Sequence, residues 1–219
     1  MGGLAEFMRT VVGILGVTHD PILQAQYHYP LALMEELIQE FSPQVICGEV
    51  HPKSWSLYLE KGNGAGILGE TQGEYSQLIF PLCQNRGIEF VPIDWFEEDL
   101  FQMGPFDGFD AATQTQLRED LAGWNCRQRL TWDRGPIPFN CPDYDVVTEE
   151  MYEWLHHVNP EVQTIQWNVR HCIMMAGVKA ALKANPGHRI LCIHGADHNY
   201  WYHRTLKTQQ DIDLIYPLR

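Results

Sequence analysis

Runs of apolar, largely β-branched residues recur along the chain at about 11 to 18, 44 to 50, 88 to 94, 189 to 195 and 212 to 217. The inner runs are nearly continuous in hydrophobicity, the pattern of strands covered on both faces. Between the first two, the segment from Leu31 to Phe41 carries its apolar residues at helical spacing and stops before Ser42-Pro43, which a helix does not easily cross. That is a β-α-β unit. A second helix is predicted over Glu74 to Gln84, closing at Asn85-Arg86-Gly87, and a long one over about Glu161 to Ala184, ended by Asn185-Pro186-Gly187. Strands alternating with helices predict an α/β fold, a mainly parallel β-sheet flanked by helices with right-handed crossovers. Ligands in such folds sit outside the carboxyl ends of the strands.

The pattern breaks from Trp95 to about Pro160, where aromatic and acidic residues mix with Pro and Gly and no strand-like run occurs. Residues 96 to 160 read as an insertion, helical around Ala111 to Leu130 and Val146 to Val158, in one domain spanning residues 1 to 219. The insertion is a candidate lid that excludes water from a cleft. Its alternatives are a segment that completes the core and one that makes a homodimer contact. The glycine-rich stretch from Lys61 to Gly69 lacks the Gly-Lys-Ser/Thr ending of a phosphate loop and reads as a mobile loop.

Composition narrows the function classes. A formal net charge of -13 with no basic run argues against nucleic acid or an anionic membrane as partner. The six cysteines are spread without a Cys-x-x-Cys pair, which argues against a zinc ribbon or a thioredoxin-like site, and Cys47, Cys172 and Cys192 lie in apolar runs expected to bury them. The first apolar run is too short to cross a bilayer and reads as a strand, so a cytoplasmic location is the default expectation.

Two Gly-x-x-His segments each follow an apolar strand: Gly16-Val17-Thr18-His19 near the start and Gly195-Ala196-Asp197-His198 near the end. A glycine where a strand stops lets the backbone turn and project the histidine from the strand's carboxyl end. Glu49 ends the second strand and Asp94 the third, so His19, Glu49, Asp94 and His198 are expected in one cleft. Imidazole and carboxylate together suit a borderline divalent ion such as Mn, Co or Zn, with His19, His198 and Glu49 as ligands. Asp94 is open to three roles: metal ligand, partner of a histidine, or cap of a helix beginning in Phe96-Glu97-Glu98. His51 either shares the side of Glu49 or sits in the turn at Pro52. Arg170, in the apolar stretch Trp167 to Met175, is expected to pair with a carboxylate or bind an anion. His194 and His198 have the His-x-x-x-His spacing of a helical zinc site, but Gly195 and the preceding strand exclude a helix there, and the metalloprotease glutamate is missing. No Gly-x-Ser-x-Gly elbow is present.

The two Gly-x-x-His segments, the glutamate ending the second strand, Ile93-Asp94, and Asn168 with Arg170 on a long helix together resemble the TraB/Tiki (GumN) superfamily. That group is related to erythromycin-esterase-like and ChaN-like proteins. The resemblance covers most of the chain outside residues 96 to 160. It implies an α/β cleft holding both histidines and the glutamate, and a metal-dependent protease in Tiki proteins, with esterases and haem-binding lipoproteins among other relatives. Its site maps onto His19, Glu49, Asp94, Arg170 and His198, and the chain departs from it in having Trp95 where TraB-like members commonly place an arginine. The leading expectation is a metal-dependent hydrolase of amide (peptide) or ester bonds in a peptide or small molecule. Glu49 would be general base or third ligand, Asp94 would belong to the catalytic set, and Arg170 would steady developing negative charge. The rival expectation is a non-catalytic protein of ChaN-like type that binds haem, a metal or a small anion.

Overall fold

The computed structural model describes residues 9–62, 73–97, 99, 102–132 and 137–218. Strand β1 (Thr10–Val17) leads into helices α1 (Pro21–Gln26) and α2 (Leu31–Phe41), then β2 (Val45–Gly48) and α3 (Pro52–Lys61). A π-helical turn, Tyr75–Ile79, continues into α4 (Phe80–Arg86) and β3 (Glu89–Pro92). The insertion supplies α5 (Ala111–Trp132) and α6 (Pro142–Val158). After α7 (Pro160–Gln163) a second π-helical turn, Thr164–Val169, runs into α8 (Arg170–Ala184) and β4 (Arg189–Gly195). A 3-10 turn, Ala196–His198, then opens α9 (Asn199–Leu206), and β5 (Ile212–Ile215) closes the sheet.

All described strand pairs are parallel, in the order β3-β2-β4-β1-β5, so the α/β expectation holds. Side chains alternate faces along a strand, and here both sets are buried. Leu15, Val17, Ile46, Phe90, Leu191 and Ile193 pack toward α2, α4 and the insertion residues Trp132, Phe139 and Tyr144. Val12, Ile14, Val45, Cys47, Ile190 and Cys192 pack toward α8 and α9 through Met174, Met175, Val178, Tyr202 and Leu206. Helix α2 buries Met34, Leu37, Ile38 and Phe41, one helical stripe, and ends at Ser42 in the left-handed region with φ 52°. Cys172 departs from expectation: it faces solvent on α8, because the buried stripe of that helix is carried by Met174, Met175, Val178 and Ala181.

Two short helices, α1 and α3, lay below the resolution of the apolar pattern. Each is started by a side-chain cap and a proline: Asp20 accepts from the amides of Ile22 and Leu23, and His51 Nδ1 accepts from the amide of Lys53 at 3.1 Å. His51 therefore belongs to the Pro52 turn, as one of its two readings had it. The glycine-rich stretch read as a mobile loop lies, from residue 63 on, outside the described residues.

The insertion is tied to the sheet by buried bonds. Asn140 Oδ1 accepts from Gly16 N at 2.8 Å and its Nδ2 donates to Gly16 O at 2.6 Å. Trp132, Ile137, Phe139 and Tyr144 belong to the main apolar cluster. Trp132 and residues 137 to 144 therefore form a wall of the core.

Candidate functional site

The carboxyl ends of β1, β2 and β4 and the residues after β3 meet at one edge of the sheet, with α5, α6 and the second π-helical turn beside it. A cleft of about 470 Å³ opens there, lined by His19, Glu49, Arg170 and His198 among others. The strand ends thus bring together three of the expected residues, and α8 adds the fourth.

Glu49 lies at the centre. Its backbone amide donates to Tyr75 Oη at 2.8 Å, and that hydroxyl donates to Ile193 O at 2.9 Å, which pins the end of β2 to β4. On the side chain, Oε1 accepts from Arg170 Nη2 at 2.7 Å and stands 3.3 Å from His198 Nε2. Oε2 accepts from the amide of Gly195 at 2.6 Å and stands 3.6 Å from His19 Nε2. Burial alone would raise the pKa of Glu49, but the charges of His198 and Arg170 and the close approach of both imidazoles hold it well below the usual carboxylate range. A carboxylate so stabilised is a poor proton acceptor. This weighs against the general-base role for Glu49 and leaves it the role of ligand or electrostatic anchor.

Arg170 is committed inside the protein. Its Nε donates to Asp94 Oδ1 at 2.7 Å and its Nη2 to Asp94 Oδ2 at 2.8 Å, a fork geometry, while Nη2 also serves Glu49. Asp94 in turn accepts from Trp95 N at 2.7 Å and does not line the cleft. Asp94 therefore acts on the site through Arg170. Residues 93 to 97 form no helix for it to cap, and Glu98 lies outside the described residues. With both carboxylates satisfied by the guanidinium, Arg170 positions Glu49 more directly than it could meet a substrate charge.

Each histidine has one nitrogen held from behind. His19 Nδ1 is 2.5 Å from Oε1 of Glu74, itself buried, and His198 Nδ1 is 2.8 Å from His171 Nε2. His171 Nδ1 bonds to Trp167 O at 2.8 Å, so it donates there and its Nε2 accepts from His198. Burial and the neighbouring His198 push His171 down to about 2, so it stays neutral in that relay. The Nε2 atoms of His19 and His198 both turn toward Glu49. His19 Nε2 has no hydrogen-bond partner although it is buried. Burial tends to lower the pKa of His19, but the nearby carboxylates of Glu49 and Glu74 outweigh this and raise it to about 10.

The glycines of the two Gly-x-x-His segments work by space, not by the sharp turn expected of them. Neither has a positive φ; Gly195 sits at φ -54° and ψ 137°. A Cβ on Gly16 would come within 2.3 Å of the Asn199 side chain, and one on Gly195 within 3.2 Å of His19 Nε2 and 3.4 Å of Glu49 Oε2. Gly195 leaves the room in which the two functional groups face each other.

His194, rejected as part of a helical zinc pair, is wholly buried at the end of β4 against Tyr202 and pushed down to about 3 by burial and His198. The residues that sequence reasoning missed are Glu74, Tyr75, Trp167 and His171. Three of them lie in or beside the π-helical turns, where the extra residue re-aims side chains and defeats a reading at helical period.

The donor chemistry fits a divalent cation in one respect: two imidazoles, each fixed through Nδ1, present Nε2 toward a carboxylate, and one of those nitrogens is orphaned. Among the described residues no group of three or more His, Cys, Asp and Glu side chains is assembled as a metal site, and both Glu49 oxygens already have partners. Glu49 and Asp94 pair with Arg170, and Glu74 pairs with His19.

Fold and site define an α/β protein with a buried His-Glu-Arg cluster at the carboxyl edge of a parallel sheet. Comparison of the chain with protein-family models, with curated proteins and with solved structures finds no match. Among the described residues no helix is long and apolar enough to cross a membrane.

Proposed function

We propose that the cleft hydrolyses amide or ester bonds of a peptide or small molecule, as a TraB/Tiki-like protein would, with His19, His198 and Glu49 as the residues that would hold a Mn, Co or Zn ion. The observation that carries this reading is the buried, partnerless Nε2 of His19, directed at Glu49 while Glu74 fixes the other nitrogen. A divalent cation held there would compete with protons for the two Nε2 atoms. When bound, such a cation supplies Lewis acidity that polarises a carbonyl.

The chain's own groups then have separate tasks. Glu74 and His171 fix the orientation of the two imidazoles. Arg170 and the Gly195 amide hold the Glu49 carboxylate in place. Trp167, stacked on His198 at 4.6 Å, shields that imidazole from water. A second reading, hydrolysis without a metal, draws support from the completeness of the hydrogen bonds around Glu49.

Metal analysis of protein purified without chelator tests the proposal, set beside the His19→Ala/His198→Ala double variant. The proposal expects one bound divalent ion in the wild type and none in the variant. Equal metal content in both would remove the metal site, and metal without turnover of any ester or peptide would leave a binding protein.

A further inference from the structure

Asp197 lines the same cleft but takes no part in the Glu49 network. Its Oδ1 accepts from Tyr144 Oη at 2.5 Å and Gln128 Nε2 at 3.2 Å, and its Oδ2 accepts from Tyr152 Oη at 3.0 Å. All three donors are neutral, and no Lys, Arg or His among the described residues pairs with it. Arg129, exposed at the rim of the cleft, bonds instead to Cys126 Sγ at 3.4 Å. Burial first, and the charge of Asp197 after it, push the Tyr144 and Tyr152 hydroxyls well above their ordinary value, so both stay donors.

A carboxylate offers about four acceptor sites, and these bonds leave one on Oδ2. The three buried carboxylates at this edge, Glu49, Glu74 and Asp94, pair with Arg170 or a histidine, whereas the half-buried Asp197 is matched by neutral dipoles alone. It stands at a wall shared with the aromatic side chains of Trp132, Phe139 and Tyr144. A negative charge in such surroundings favours a cation over a neutral group of the same shape. We propose that the cleft recognises an ammonium or similar cationic group on its ligand, and that Asp197 is the residue that holds it. The inference rests on the hydrolase reading only in making that ligand a substrate.

The competing role for Asp197 is a tether that joins α5 and α6 to the turn before α9. Two probes separate the roles: benzylammonium and benzyl alcohol, similar in shape and different in charge. Each is titrated against the full chain by quenching of tryptophan emission, since Trp132 and Trp167 line the cleft, with calorimetry as a check. The wild type should bind benzylammonium about tenfold or more tightly than the alcohol. Asp197→Asn should lose that preference, while Tyr152→Phe, which removes one donor and leaves the charge, should keep it. No binding of benzylammonium, equal binding of the two probes, or a preference that survives Asp197→Asn overturns the proposal. If Asp197→Asn does not fold, the wild-type comparison and Tyr152→Phe decide. Turnover is measured separately on an ester and amide panel. A charge preference without turnover keeps the cation subsite and removes the hydrolase reading; turnover without charge preference does the reverse.

Discussion

Replacing Arg170 with Met tests how the site is held together. Arg170 is 6% exposed, and its guanidinium makes bonds of 2.7 to 2.8 Å to Asp94 and Glu49, which are 2% and 4% exposed. Methionine fills a similar volume without charge, so the main effect is two buried carboxylates left short of a partner. Removing one member of a buried pair costs about 3–5 kcal/mol. For a chain of this size each kcal/mol moves the melting temperature by about 2–4 °C, so a drop of roughly 6–20 °C is expected. The sign of the pH dependence follows from Glu49, whose folded pKa lies below the ordinary 4.5. The stability it contributes is present above 4.5 and is lost as pH falls through the folded value. In Arg170→Met that depression shrinks, so the gap between variant and wild type should be widest near pH 7 and should narrow below about pH 4.5. Urea unfolding of both proteins at pH 7 and pH 4 measures it. A variant within about 1 kcal/mol of wild type at pH 7 would refute the reasoning, since it would mean that the carboxylates do not need the guanidinium.

Three further outcomes are expected. Asn140→Ala strips both backbone groups of Gly16 of their partner and should cost about 2–4 kcal/mol in urea unfolding; a loss under about 0.5 kcal/mol would mean that the insertion is not anchored there. Gly16→Ala places a methyl against Asn199 and should destabilise by about 1–3 kcal/mol, whereas wild-type stability would return the glycine to a turn role. Any divalent ion must displace the His19 proton, held up to about 10, so affinity should strengthen as pH rises from 6 to 9 in titrations with Mn, Co or Zn; affinity independent of pH would separate the ion from His19.

Much of the architecture is written in hydrophobicity alone. Continuous β-branched runs mark buried parallel strands, and the stripe of Met34, Leu37, Ile38 and Phe41 marks α2. The strand ends then place His19, Glu49, Asp94 and His198 on one edge, which topology alone predicts. What hydrophobicity could not carry is partner choice. Glu74 sits at the start of a π-helical turn, far from His19 in sequence, and a lone glutamate before an apolar run looks like any solvated helix start. His171 reads as an ordinary helical residue until Trp167 O and His198 are seen on either side of it. The two motif glycines were legible as necessary, but the reason is the space needed by Asn199, His19 and Glu49, which only the packed fold reveals. Asn140 and the tyrosines around Asp197 were hidden for a related cause: polar residues in a segment without periodicity carry no sign of burial.

We propose that catalysis belongs to the cluster around Glu49, and hydrolysis of a peptide and ester panel by wild type and Glu49→Gln is the sharpest test of it. Each reaction is run after chelation and after return of Mn, Co or Zn. Turnover should disappear with chelator, return with one of these ions, and be absent from Glu49→Gln under every condition while that variant stays folded. Undiminished hydrolysis by Glu49→Gln would contradict it.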